Sequence, residues 1–290
     1  MFSLDSFYII LIGSLIAINC GLLGCFLVLR RMAMLGDAIS HAILPGIALA
    51  YFATGTRNLL PTITGATTFG VLSTVAIEWL CKKARLQSDA SIGIVFTGLF
   101  AVGIILITVF AAQTDLDQDC VLYGEIAYTP LNLWLLKSGV SLGPKAAWVA
   151  ATNLVCLLGF ITIGFKGLFL TSFDSDYAKS IGINTQFWHY ALMCAVSLTT
   201  VCSFEAVGAI LVVAFLIVPP STAFLLTTNF KKMMIFTALF AILSALIGYF
   251  LALSINGSIA GAMSTTSGFL FLIVWLSKLI LPQNATQTHD

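Results

Sequence analysis

Hydrophobic residues dominate this chain in long runs that are separated by short polar segments. A hydrocarbon core about 30 Å thick takes roughly 20 helical residues to cross. Nine runs have about this length, and charged or turn-forming residues lie between most of them. The pattern therefore predicts an all-α, polytopic membrane bundle, with spans at 7–29, 33–53, 60–81, 91–112, 147–169, 187–204, 206–228, 233–254 and 261–281.

The stretch 187–228 is nearly continuous in hydropathy, so the apolar pattern alone does not decide between one crossing and two. Lys166 and Lys179 precede this stretch, and Lys231 and Lys232 follow it. Lys and Arg gather on the cytoplasmic side of membrane proteins. If both lysine pairs are cytoplasmic, two crossings lie between them. We therefore predict nine spans, with eight as the alternative.

The other basic residues fit the same topology. With the N-terminus outside and the C-terminus inside, ten of the 13 Lys and Arg residues fall on the cytoplasmic side, as the positive-inside rule requires. The inside set is Arg30, Arg31, Lys82, Lys83, Arg85, Lys166, Lys179, Lys231, Lys232 and Lys278. The outside set is Arg57, Lys137 and Lys145.

Composition excludes several functional classes. Only 9% of the residues are charged, against roughly 25% in a soluble domain, and the net charge of +1 gives no reason to expect a nucleic-acid partner. The seven cysteines include no CxxC pair and fall mostly inside apolar runs, which favours packing over a disulfide framework or a thiolate metal site. The chain also lacks the phosphate-binding GxxxxGK[ST] motif and the HExxH and GxSxG signatures of common hydrolases.

Two acidic residues fall inside apolar runs, away from the membrane interfaces, and these are Asp37 and Glu205. His41 lies four residues after Asp37, so a helix would place both side chains on one face, one turn apart. A carboxylate at the centre of a spanning helix costs roughly 2.5–3.5 kcal/mol on insertion scales. Because no Lys or Arg lies deep enough to neutralise either acid, the residues predict a cation as the missing partner.

Two carboxylates and one imidazole form an oxygen and nitrogen ligand set. Such a set suits divalent manganese, zinc or iron better than Cu(I), which prefers sulfur. We therefore predict that Asp37, His41 and Glu205 bind a divalent transition metal ion on a transport path. Helix breaks that would shape a cavity are expected at Pro45, Gly208, Pro219 and Pro220, because broken helices in membranes line cavities or lie buried in protein.

The polar segment at about 174–186 is the longest one on the predicted cytoplasmic side. Asp174 or Ser175 can cap a short helix there, and Gly182 can end it. From composition alone, a solvated loop and a docking helix for a cytoplasmic protein are equally compatible with this segment. The remaining chain forms one transmembrane domain over 1–282, followed by a polar tail at 283–290.

The stretches 30–48 and 207–223 resemble the membrane permease subunit of the zinc/manganese/iron ABC importer family, and 119–125 resembles it more weakly. The resemblance covers about residues 7–280. It implies a type II permease architecture like that of the vitamin B12 importer, in a bacterial inner membrane. It also implies three partners, namely a cytoplasmic ATP-binding subunit, an extracytoplasmic metal-binding protein and a second permease chain, identical or closely paralogous.

The resemblance also assigns roles to residues. Asp37 and His41 match the pathway residues that coordinate the metal, and Glu205 is the third. The family's coupling helix, which docks on the ATPase, matches Asp174, Asp176, Tyr177, Ala178, Lys179, Ser180 and Gly182. The permease itself would bind no cofactor and catalyse no reaction, since the separate ATPase uses the ATP.

A proton- or cation-coupled secondary transporter is the alternative, in which the same acids would be protonation sites. An intramembrane aspartyl enzyme is disfavoured, since no second spanning Asp is present to complete a catalytic dyad. The ligand set does not distinguish manganese, zinc and iron.

Overall fold

The computed structural model describes residues 4–55, 59–110, 126–135 and 141–280. Nine helices in these ranges, counting the two parts of one kinked helix separately, are long and apolar enough to cross a membrane. The helices are α1 (Leu4–Leu29), α2 (Ala33–Thr54), α3 (Leu59–Lys83), α4 (Ser88–Phe110), α5 (Lys145–Phe173), α6 (Ser175–Ser180), α7 (Thr185–Leu226), α8 (Phe230–Ile255) and α9 (Ile259–Ile280).

A small non-helical layer precedes α5. A 3₁₀ helix at Ile126–Leu131 leads into strand β1 (Leu133–Leu135), which pairs antiparallel with β2 (Ser141–Pro144). The register places Leu133 opposite Pro144. The predicted resemblance at 119–125 lies outside the described residues.

Helix α1 lies at the centre of the bundle. Residues 19–27 are all buried, so every side of this stretch faces other parts of the protein, and the large side chains of Leu23, Phe26 and Leu27 are less than 2% exposed. A helix that is apolar on every side is suited to burial among other helices. Helices α5, α7 and α8 pack around α1, and α2 packs between α3, α4 and α7.

Helix α7 has 42 residues and would be about 63 Å long if it were straight. Both of its ends nevertheless lie beside the last turns of α5. Trp188, near its start, packs against Gly164 and Gly167, and Phe230, just beyond its end, has its ring centroid 6.2 Å from that of Phe173. The chain therefore turns back within α7 and crosses twice, as the lysine pattern predicts.

The turn occurs at Gly208, whose φ of 74° and ψ of 170° are not helical. Residues with a Cβ do not populate this backbone region, which is essentially restricted to glycine. The non-helical backbone at Gly208 lies where an outgoing span that begins at Thr185 meets a returning span that ends at Leu226. The predicted break at Gly208 is present.

The expected breaks at Pro45, Pro219 and Pro220 are wrong, since each proline lies inside a continuous helix. A proline removes one helical hydrogen bond and frees the carbonyl four residues earlier, but it does not have to end the helix when neighbouring helices pack around it. The carbonyl of Leu216, four residues before Pro220, lies directly against Gly24 of α1. Tertiary packing therefore keeps this span helical.

Candidate metal site in the membrane

Asp37 and His41 lie in the second and third turns of α2 and face the same side. Nε2 of His41 is 3.4 Å from Oδ1 of Asp37. The Asp37 side chain is 36% exposed and that of His41 is 21% exposed in the isolated chain. The predicted pairing on one helix face is therefore observed, and one side of the pair is open.

The separation of these two atoms fits a pair of ligands to one ion. Imidazole nitrogen and carboxylate oxygen lie about 2.1 Å from a bound zinc, so two such ligands at a tetrahedral angle are about 3.4 Å apart. An N–H···O hydrogen bond would be shorter, with a mode of about 2.9–3.0 Å. Asp37 and His41 can therefore share a cation without a large rearrangement of α2.

Two aromatic rings of α4 fix the orientation of the imidazole. The ring centroid of Phe96 is 4.9 Å from that of His41, and the centroid of Phe100 is 5.3 Å away, both in edge-on arrangements. Because these rings enclose His41 on the side of α4, its polar edge stays directed towards Asp37. The sequence analysis missed both phenylalanines, although their four-residue spacing places them on one face of α4.

A close backbone contact positions α2 against α3. A Cβ added to Gly46 would lie 2.5 Å from the carbonyl oxygen of Gly65, which is closer than real side chains allow. Glycine at this crossing therefore permits an approach that any larger residue would prevent. The contact holds the outer half of α2, five residues beyond His41, at a fixed distance from its neighbour.

Glu205 lies on α7, three residues before the turn at Gly208, and its side chain falls outside the described part of the structure. Both spans of α7 approach α2. Gly36 packs against the side chain of Leu216 on the returning span, and Ile39 lies beside Gly70, which contacts Ser197 on the outgoing span. Among the side chains that are described, no group of three His, Cys, Asp or Glu could hold a metal.

The predicted short helix at 174–182 is present as α6. Asp174 caps it, since its side chain accepts hydrogen bonds from the backbone N–H groups of Asp176 (3.1 Å) and Tyr177 (2.9 Å). Gly182 ends the segment with a φ of 81°. Ala178 is buried while the Tyr177 ring is 55% exposed, so α6 turns a hydrophobic side chain outwards.

The amino-acid sequence matches the model of the ABC 3 transport family over residues 7–278. This range includes α2, α6 and both spans of α7. The chain belongs to the ABC 3 transport family. As a permease of this family it is not itself an enzyme, because the ATPase of such transporters is a separate subunit.

Relatives of this ABC 3 chain include two metal-transport proteins that match most of its length. The manganese transport system membrane protein MntD of Bacillus subtilis is 46% identical over 93% of this chain and 90% of its own length. The zinc transport system membrane protein TroD of Treponema pallidum is 40% identical over 92% of this chain and 72% of its own length.

Two solved structures share the fold. PsaBC from Streptococcus pneumoniae, in complex with Fab, matches with a TM-score of 0.77 and 33% identity over 94% of this chain and 91% of that one. A metal-chelate type ABC transporter in an inward-facing conformation matches with a TM-score of 0.64 at 17% identity, which shows the fold alone. The nine spans and these relatives identify a multi-pass protein of a bacterial inner membrane.

Proposed function

We propose that this chain is the transmembrane subunit of an ATP-driven importer for manganese or zinc. The observation that carries the proposal is the pair of Asp37 and His41, which presents oxygen and nitrogen 3.4 Å apart within a membrane-spanning helix. These ligand types suit divalent manganese, zinc and iron. MntD and TroD are named for manganese and zinc, so the proposal is confined to these two metals and leaves iron out.

In this proposal the metal is the transported substrate. Asp37 and His41 bind it from one helix face, and Glu205 completes the site from the junction of the two α7 spans. A site made of few ligands, open on one side, can bind an ion and release it again. A divalent cation would also compensate the cost of placing Asp37 in the membrane.

The proposal assigns the energy source to a partner. The segment 174–182, with α6 at its centre, docks on a cytoplasmic ATP-binding subunit, to which it presents the exposed Tyr177 ring. An extracytoplasmic protein delivers the metal, and a second permease chain, identical or paralogous, lines the other side of the path. The open side of Asp37 and His41 in the isolated chain supports such a shared path.

The test is metal uptake by the complete transporter, reconstituted in proteoliposomes with ATP inside and manganese or zinc outside. Asp37→Ala and His41→Ala are each expected to lower uptake at least ten-fold, because each removes a ligand, and Glu205→Gln is expected to act similarly. Asp89→Ala is the matched control, since Asp89 is an exposed acid at the start of α4. Co-purification of the subunits checks assembly.

Normal uptake by the Asp37 and His41 variants would exclude the proposed site. Uptake by the purified chain alone, driven by a proton or cation gradient without the ATPase, would favour a secondary transporter instead. Growth rescue under separate depletion of manganese and zinc then identifies the metal.

A further inference from the structure

A second polar cluster joins four parts of the bundle on the side where α6 lies. Arg30, in the turn between α1 and α2, is at its centre. Its Nε donates to Oγ of Ser172 (2.9 Å) and its Nη2 donates to Oγ1 of Thr171 (2.8 Å). Its Nη1 lies 3.3 Å from Nδ1 of His189. The sequence analysis missed this cluster.

These partners lie before and after α6 along the chain. Thr171 and Ser172 form the last turn of α5, which ends at Phe173 immediately before the capping residue Asp174. His189 lies in the second turn of α7, directly after the segment that follows α6. One guanidinium group therefore contacts both helices that carry the short helix.

The cluster continues to α3 through the imidazole. Since arginine only donates, Nδ1 of His189 is the acceptor and the ring proton is on Nε2, which lies 2.7 Å from Oε1 of Glu78. Oε2 of Glu78 accepts hydrogen bonds from the Tyr190 hydroxyl (2.8 Å) and from Nζ of Lys82 (3.1 Å).

The contacts of the Arg30 guanidinium depend on the direction of its N–H groups. Burial lowers the pKa of the Arg30 guanidinium to about 10, so the group stays charged at neutral pH. No described carboxylate lies within 4.0 Å of it, and its donors go to two hydroxyls and one imidazole. A planar guanidinium can satisfy three partners in fixed directions, whereas a lysine amine cannot reproduce this arrangement.

Arg30 is also close in sequence to the metal site. Only Arg31 and Met32 separate it from Ala33, where α2 begins, and Asp37 follows four residues later. Three side-chain contacts of Arg30 therefore connect the helices on either side of α6 to the start of the helix that carries Asp37 and His41. A cavity of about 510 Å³, lined by Arg30, Glu78, Lys179 and His189 among others, leaves these side chains room to move.

We propose that Arg30 is a positioning residue that couples movement of α6 to α2, by holding the ends of α5 and α7 against the start of the metal-binding helix. This inference rests on the proposed function, in which α6 receives the movement of the ATP-binding subunit. Arg30 contacts neither metal nor ATP in this account. Its removal leaves ATP hydrolysis possible but separates it from transport.

The experiment measures metal uptake and ATP hydrolysis together in proteoliposomes that contain the complete wild-type or variant transporter. Arg30→Ala is expected to lower the amount of metal transported per ATP hydrolysed at least ten-fold, with basal hydrolysis within about two-fold of wild type. Arg30→Lys is expected to restore part of this ratio. Arg31→Ala is the matched control and should leave this ratio unchanged, because the Arg31 side chain is exposed and makes no hydrogen bond or ion pair with the described residues.

A second variant tests the same contacts while Arg30 is retained. Thr171→Val combined with Ser172→Ala removes two acceptors and should lower the ratio in the same direction. Thr162→Val is its control, since Thr162 lies on the same helix and its hydroxyl, among the described residues, donates only to the carbonyls of Leu158 and Gly159 in that helix. If the Arg30→Ala transporter does not assemble, the comparison of the Thr171/Ser172 double variant with Thr162→Val tests the role of Arg30.

If the Arg30→Ala and Thr171/Ser172 variants transport as much metal per ATP hydrolysed as wild type, the inference is overturned. This holds whether uptake and hydrolysis both stay normal or both fall together. A wild-type complex that hydrolyses ATP but takes up neither manganese nor zinc would instead refute the proposed function. The two failures are therefore distinguishable.

Discussion

Individual side chains determine how α6 is presented. The Asp174 carboxylate accepts hydrogen bonds from two backbone N–H groups in the first turn. Asp176 and Lys179 form an ion pair (3.1 Å) on the exposed surface of the same helix. An exposed ion pair of this kind contributes little, about 0–1 kcal/mol. An N-cap contributes more, typically about 1 kcal/mol. The cap is therefore the main local determinant of this six-residue helix.

Asp174→Ala is expected to destabilise α6 by about 1 kcal/mol, because two N–H groups lose their acceptor. Hydrogen exchange on the purified transporter, followed by mass spectrometry, should show roughly five-fold faster exchange of the backbone amides of Asp176 and Tyr177. Asp174→Asn keeps an acceptor oxygen and should exchange nearly as slowly as wild type. Equal rates in the Ala variant and wild type would show that the cap does not stabilise α6.

At the scale of helices, the two classes of predicted break behave differently. Pro45, Pro219 and Pro220 each remove one hydrogen bond and leave the helix axis continuous. Gly208 adopts a backbone conformation that reverses the chain direction between two spans. The difference is conformational, since proline still has a helical φ whereas the φ of Gly208 is positive.

Gly208→Ala should destabilise the protein by about 1–3 kcal/mol, since alanine is strained at a φ of 74° and a ψ of 170°. The expected result is a lower midpoint of thermal unfolding in detergent, measured by tryptophan fluorescence. Gly159→Ala is the control, because Gly159 lies in α5 with open space around its added Cβ. If both variants unfold at the wild-type midpoint, the turn does not require glycine.

At the scale of the molecule, the return of α7 determines on which side of the membrane each later loop lies. With two crossings in α7, the loop at 227–229 lies on the same side as the loops at 30–32 and 84–87. With a single crossing it would lie on the opposite side. The aromatic contacts of Phe230 with Phe169 (5.5 Å) and Phe173 (6.2 Å) are consistent only with the first arrangement.

Fusions of green fluorescent protein, which is fluorescent in the bacterial cytoplasm but not after Sec-dependent export, test this topology. A fusion after residue 229 should fluoresce as strongly as one after residue 84, and a fusion after residue 256 should be dark. Expression of each fusion is checked by immunoblotting. A dark fusion at 229 would contradict nine spans and favour eight.

Much of the fold and part of the site could be predicted from the amino-acid sequence. The spans follow from local composition, because about 20 apolar residues cross the bilayer whatever their neighbours are. The observed ends differ from the predicted ones by a few residues, as at α1, which begins at Leu4 and not at residue 7. The pairing of Asp37 with His41 follows from helix geometry, which four residues of spacing suffice to determine.

The tertiary structure decided what depends on residues far apart in the chain. It placed Phe96 and Phe100 around His41, and it brought Arg30 to Thr171, Ser172 and His189, more than 140 residues away in sequence. The position of His189 along the chain predicts none of these partners. Hydropathy and periodicity describe one segment at a time, whereas these contacts arise only when helices pack side by side.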